Sequence, residues 1–233
     1  MEYYNHNNES ILIGHFPGKS RIESADILEK YKKTKFMKPF GVQFISIITP
    51  DYLKNGACLD FQLKRNGIEY LNPAKYDYFG KWSMPKKIKY IIKALKQTKE
   101  PYALILDGAD VCIMNEDLTS MIEKFKSYNK KIIFNATIWA YPKTNIDIIE
   151  NREQYGRFCH LNAGCCIGET KALLEFYEEC QQLVNNDKIG SNSEQYYIRQ
   201  VFNNHQDTVF FDYDCKIFQI WHKPIYEERC LLF

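Results

Sequence analysis

The stretch Pro101-Tyr-Ala-Leu-Ile-Leu-Asp107-Gly-Ala-Asp110-Val-Cys-Ile113 reads as a buried strand whose far end releases two carboxylates into a turn. Residues 103–106 are continuously apolar, as expected of a strand covered on both faces by helices. Gly108 lets the backbone turn sharply, so Asp107 and Asp110 can point at one object. Hard cations such as Mn²⁺ or Mg²⁺ prefer oxygen ligands of this kind and keep positions open for phosphate oxygens. The same pattern also suits a plain Asx-type turn, in which the carboxylates bond to nearby backbone amides.

Outward from that strand, apolar runs alternate with amphipathic ones. Strands are expected at Ser10–Phe16, Val42–Thr49, Gly67–Leu71, Lys131–Ala136 and Leu161–Ile167, and short ones at Val209–Phe211 and Lys216–Ile220. Helices are expected at Glu23–Lys32, Leu53–Lys64, Met84–Gln97, Leu118–Ser127, Lys171–Val184 and Glu194–Phe202. This rhythm predicts an α/β fold: a mostly parallel central sheet with flanking helices. In open α/β sheets ligands sit beyond the carboxyl ends of the strands, where Asp107 and Asp110 would lie.

A length of 233 residues suits a single domain, 1–233, and no repeat or linker interrupts it. Net charge is only +2, so charge over the whole surface does not point to nucleic acid. The eight cysteines contain no C-x-x-C pair and read as reduced, buried thiols. The polar, Asn-rich start lacks the basic and apolar regions of a signal peptide, no transmembrane run follows, and a cytoplasmic location is expected.

Four further segments carry chemistry-bearing residues. Gly80-Lys-Trp82-Ser-Met-Pro-Lys86-Lys87 sets two cations and an indole at a helix start, where phosphate is attracted by free N–H groups and charge; a solvated basic helix start fits as well. Phe134-Asn-Ala-Thr-Ile-Trp139-Ala-Tyr-Pro142 follows a strand with a loop rich in rings. His160-Leu-Asn162-Ala-Gly164-Cys-Cys-Ile-Gly168 places glycines in a strand, a sign of close approach by a ligand or another backbone. Asn192-Ser-Glu194-Gln195 opens a helix, either as simple capping or as a carboxylate aimed at a crevice.

Taken in order, D-x-x-D-V, F-N-A-x-x-W-x-x-P, L-N-A-G-x-x-I-G, S-E-Q and the block Asp212 to Gln219 resemble the glycosyltransferase domain of procollagen lysyl hydroxylases and related procollagen galactosyltransferases. That family carries D-x-Y-D-V, F-S-A-E with W-P, L-N-S-G-x-x-G, D-D-Q and L-D-x-x-x-x-I-F-Q. The resemblance spans residues 42 to 220 and implies a GT-A fold, a UDP-sugar donor, a hydroxyl-bearing acceptor (glycan, lipid-linked sugar or protein) and a Mn²⁺ or Mg²⁺ ion on Asp107 and Asp110. It further implies uridine contacts at Thr49 and at Phe79 or Trp82, a diphosphate-side Lys87, and donor-sugar contacts at Asn162 and Gly164. Glu194 and Gln195 match the last two positions of D-D-Q, and Glu194 is the expected acceptor-side base.

Departures from the family pattern matter too. Ser193 replaces the first Asp of D-D-Q, and Asn135-Ala-Thr137 lacks the family's Glu. The family's third metal ligand is a His in an H-x-N-G segment well beyond I-F-Q, whereas this sequence continues for only 14 residues after Gln219. Ile11-Leu-Ile-Gly-His15-Phe-Pro-Gly18-Lys19 has the required form at the opposite end. It suggests a circular permutation in which residues 1–35 replace the missing block, His15 is the third ligand and Lys19 lies near the diphosphate; His222, directly after I-F-Q, is the rival ligand. A catalytically silent nucleotide-sugar-binding domain and a nucleotidyltransferase are the alternative functions, though the latter would ordinarily show a Gly-rich basic loop where Ile47-Ile-Thr49-Pro50-Asp51 offers none.

Overall fold

Strand β4 (Tyr102–Asp107) lies inside a six-stranded sheet, as its unbroken apolar run requires. The computed structural model describes residues 9–17, 25–54, 57–76, 83–142, 152–187 and 190–221. Strands β1 (Ile13–His15), β2 (Val42–Ile47), β3 (Tyr70–Leu71), β5 (Val111–Ile113), β6 (Ile132–Thr137), β7 (His160–Glu169), β8 (Val209–Phe211) and β9 (Phe218–Ile220) complete the strand set among them. The main sheet has the order β3-β2-β4-β7-β6-β8, and a three-stranded sheet has the order β5-β1-β9.

Every strand of the main sheet except β7 points the same way, because β2 pairs in parallel with β3 and β4, β6 pairs in parallel with β8, and β7 runs antiparallel to both β4 and β6. The expectation of a mostly parallel sheet holds, with β7 as its reversed member. Its pairing with β6 is irregular: Phe134 faces Cys166 but Asn135 faces Asn162, so residues 163–165 bulge out of register. Bulges of this kind re-aim side chains beside functional sites.

The helices are α1 (Ala25–Tyr31), α2 (Pro50–Lys54), α3 (Cys58–Arg65), α4 (Lys86–Leu95), α5 (Met121–Lys126), α6 (Thr170–Asn186) and α7 (Glu194–Asn203). The expected helix Leu53–Lys64 is two helices in the structure, and the intervening Asn55-Gly56 is a dipeptide that favours turns over helix continuation. In α4, Ile88, Ile91 and Leu95 recur at helical spacing and bury one face in the main core, while α6 packs alongside.

Two buried polar side chains join the sheets to their surroundings. Gln62 of α3 donates to the carbonyls of Tyr31 (2.7 Å) and Ile113 (2.8 Å) and accepts from the Ile113 amide (2.9 Å), capping the free edge of β5. Asp212 accepts the amides of Lys216 (2.8 Å), Ile217 (2.8 Å) and Phe218 (2.7 Å) and the Tyr128 hydroxyl, closing the turn that leads into β9.

The cysteines at 58, 112, 159, 165, 166, 180 and 215 are free thiols, and most are buried. Burial pushes Cys112, Cys165 and Cys180 well above 9.0 and Cys166 up to about 12. A group whose folded pKa is raised keeps its stabilising effect below its unfolded pKa and loses it as pH rises toward the folded one. Under reducing conditions the urea midpoint is therefore expected to hold up to about pH 8.5 and then fall, each such thiol contributing up to about 1.4 kcal/mol per pH unit. A midpoint unchanged between pH 8 and pH 10 would contradict that burial.

Candidate metal centre

Asp107 ends β4, and the turn after it returns the chain through Asp110 into β5. A Cβ at Gly108 would lie 1.9 Å from Ile48 Cγ1, so only glycine lets this turn press against the end of β2. Strand β1 runs antiparallel to β5 with His15 opposite Val111, and the Phe16 amide donates to the Asp110 carbonyl at 2.8 Å. On its other side β1 runs parallel to β9, and the Trp221 amide donates to the His15 carbonyl at 2.8 Å. These pairings deliver the His15 ring to the carboxylates from a distant part of the chain.

His15 Nε2 lies 3.6 Å from Asp110 Oδ1 and 3.9 Å from Asp107 Oδ2. Each of the three residues offers a ligand atom within 4.8 Å of the others, a spacing that one divalent ion can bridge. Burial lowers the imidazole to about 4, outweighing the opposing pull of Asp107, so His15 is neutral near pH 7, the form that binds metals. Two carboxylates and one neutral imidazole suit Mn²⁺ or Mg²⁺ better than a thiolate-seeking ion.

The His15 ring rests on Gly164. A Cβ there would lie 2.2 Å from His15 Cε1, which explains the glycine of the L-N-A-G segment and the bulge that carries it. Asn162, which accepts the Gly164 amide at 2.9 Å, also stands beside the imidazole and pulls its pKa weakly upward. Asn135 of β6 approaches from the other side, with Nδ2 3.2 Å from His15 Nδ1 and a buried Oδ1 lacking a partner among the described residues. With the two ends of the amide exchanged, Oδ1 accepts Nδ1–H and the Nε2 lone pair is left facing Asp107 and Asp110. Asn135→Leu is accordingly expected to weaken Mn²⁺ binding by roughly 10- to 100-fold, the usual range for such supporting residues, with isothermal titration as the check.

Lys87, in the first turn of α4, is 3 % exposed and lies between Asp107, with which it makes a short ion pair, and Glu194, whose Oε1 is 3.3 Å from Nζ. Burial disfavours the ammonium, but the two carboxylates outweigh it and hold Lys87 above its ordinary range. The pull of burial on Glu194 is upward, with Lys87 opposing it. The side chain expected to serve as an acceptor-side base thus stands behind Lys87, in a buried position.

Gln195 accepts the Ala163 amide at 2.9 Å and donates to the Tyr141 carbonyl at 2.5 Å, while Arg199 donates to the Pro142 carbonyl at 2.7 Å. Helix α7 therefore ties the L-N-A-G strand to the ring-rich loop after β6. The sequence singles out Gln195 only as the last position of D-D-Q and does not mark Arg199, and the contacts of both depend on which strand and loop become neighbours of α7. Thr49 lies just past β2, where its carbonyl accepts the Leu53 amide at 3.1 Å at the start of α2, on the same edge as Asp107. Lys19, Phe79, Trp82 and His222 lie outside the described residues.

Among solved structures, the chain is similar to a 4-diphosphocytidyl-2C-methyl-D-erythritol synthase from Anaerococcus prevotii, at 13 % identity and a TM-score of 0.38, over 82 % of this chain and 78 % of that one. No curated protein sequence matches. A family described as the PLOD GT domain matches residues 80–229, well over half of the chain, including both aspartates, Lys87 and the whole of β6 to β9. With this match the expectation from the ordered sequence blocks is met, and the chain belongs to the family of PLOD glycosyltransferase domains.

Proposed function

We propose that this glycosyltransferase moves a hexose from a UDP-sugar to a hydroxyl acceptor, with Mn²⁺ or Mg²⁺ held by His15, Asp107 and Asp110. The observation that carries the reading is the convergence of a neutral buried histidine with two strand-end carboxylates. Once bound, such an ion supplies Lewis-acid stabilisation of the charge that develops on a diphosphate leaving group.

The remaining residues act by holding this arrangement. Lys87 fixes the outer oxygen of Asp107 and leaves the other directed toward His15. Glu194 acts through Lys87 by sharing its ammonium, and Gln195 holds the main chain at Ala163 beside Asn162 and Gly164, the proposed border of the donor sugar. Thr49, with Phe79 or Trp82, is assigned to the uridine side and Lys19 to the diphosphate side. Residues 1–35 stand in for the family's C-terminal metal-histidine segment within a single domain 1–233. The pairing of β1 with β9, the strand formed by the I-F-Q block, supports that substitution. Reduced thiols suit a cytoplasmic location. Among the described residues, no helix is long and apolar enough to cross a membrane.

Release of UDP from a panel of UDP-sugars, with and without Mn²⁺, tests the reading. Ion-dependent release from at least one donor is expected. UDP-sugar binding without release would indicate a silent binding domain, and attack on a nucleoside triphosphate with pyrophosphate release would indicate a nucleotidyltransferase.

A further inference from the structure

The end of α1 and the loop from it to β2 combine two features that rarely coexist on a surface facing only water. Lys30, Lys32, Lys33, Lys35 and Lys38 place five cations within nine residues, with no acid among them. Within the same loop Phe40 is 100 % exposed and Met37 69 % exposed.

These apolar side chains are displayed on a fixed frame. Asn66 accepts the Phe36 amide at 3.0 Å and donates to the Thr34 carbonyl at 3.0 Å, and Phe36 and Pro39 are buried. Gly41 has φ +73°, its carbonyl accepts the Tyr102 amide at 3.1 Å, and a Cβ there would stand 3.3 Å from Pro101. Phe36, Pro39 and Gly41 thus anchor the loop, and Met37 and Phe40 between them point away from the core.

We propose that residues 30–41 form a docking surface for an anionic lipid bilayer, with Phe40 and Met37 entering the headgroup boundary and the lysines meeting lipid phosphates and carboxylates. Charge complementarity selects this partner: an exposed ring and thioether flanked by lysines match an interface that is apolar beneath and negative above. Lys32 pairs with Glu29 at 3.3 Å and Lys38 with Glu100 at 3.8 Å, but these are surface pairs that compete weakly with a dense anionic surface. Val42 and Ile47 are opposite ends of β2, and Ile47 faces Asp107, so a docked chain would hold the metal centre about 17 Å clear of the loop. That separation favours an acceptor that projects from the membrane or approaches from solution.

Co-sedimentation of the full chain with phosphatidylcholine vesicles, with and without phosphatidylserine, tests the proposal. Binding is expected only to the phosphatidylserine vesicles and is expected to weaken as salt rises. Lys33→Gln/Lys35→Gln/Lys38→Gln should lower partitioning by about 100-fold, given the usual contribution of a lysine near an anionic surface. Met37→Ser/Phe40→Ser should lower it by about tenfold or more. Both variants change exposed or half-exposed surface positions remote from the metal centre, so far-ultraviolet circular dichroism and Mn²⁺ binding should match those of the wild type. Absence of vesicle binding, equal binding to neutral vesicles, or unchanged binding by both variants would overturn the proposal. So would a wild-type dimer that Phe40→Ser dissociates in the absence of lipid, which would make the occupant a second copy of the chain.

Discussion

Lys87→Met is expected to lower folding stability by about 3–5 kcal/mol, because it leaves two carboxylates, one of them buried, without the cation between them. Methionine fills much of the same volume, so the loss would be electrostatic more than steric. Asp107 and Glu194 both face the Lys87 ammonium, and burial already works against a charged Glu194. Two controls separate this cause from general damage. Adding Glu194→Gln to Lys87→Met should recover part of the loss, since one of the stranded charges is gone. Mn²⁺ should raise the thermal midpoint of Lys87→Met more than that of the wild type, since the ion then supplies positive charge that Asp107 has lost. Equal urea midpoints for Lys87→Met and wild type would contradict the ion-pair arrangement.

Asp212→Ala is the second large effect, and it acts at a distance from the metal. Its carboxylate accepts three main-chain amides and the Tyr128 hydroxyl. Removing it strands buried donors at about 1–3 kcal/mol each, so a total loss of roughly 3 kcal/mol or more is expected in urea unfolding. Tyr128→Phe removes a single partner and should cost about 1 kcal/mol. The turn held by Asp212 feeds β9, β9 pairs with β1, and β1 carries His15. Asp212→Ala should therefore also weaken Mn²⁺ binding, while Tyr128→Phe leaves it nearly unchanged. An Asp212→Ala protein as stable as wild type would show that the turn does not depend on this carboxylate.

How far the sequence could be read follows from how local each determinant is. β4 was legible because four consecutive apolar residues followed by Asp-Gly define a buried strand and its end within one short window. The same held for β8, whose bounds, Val209–Phe211, match the expectation. β5 was not legible: Val111 to Ile113 becomes a strand only through pairing with β1, a segment almost a hundred residues earlier, and through the Gln62 amide on its other edge. The reversed direction of β7 has the same origin, since alternation of strands and helices suggests parallel pairing and says nothing about an exception.

The candidate site divides in the same way. Asp107 and Asp110 share one turn, and their joint orientation could be argued from the turn itself. His15 entered through its Gly-His-Phe-Pro-Gly setting and the family resemblance, and the structure brings it to the aspartates. Asn135 was noted only as a departure from the family pattern, yet it contacts the His15 ring. Such supporting contacts depend on which strands become neighbours, and a helix-surface pattern cannot distinguish the buried Gln195 brace from an ordinary exposed amide.

The most direct test of the metal centre compares Mn²⁺-dependent UDP release by wild type, His15→Ala and His222→Ala, with Mn²⁺ affinity measured on the same proteins. Loss of both release and binding in His15→Ala, with both retained in His222→Ala, is the predicted result. Full activity in His15→Ala together with loss in His222→Ala would contradict the assignment of the third ligand to the N-terminal strand.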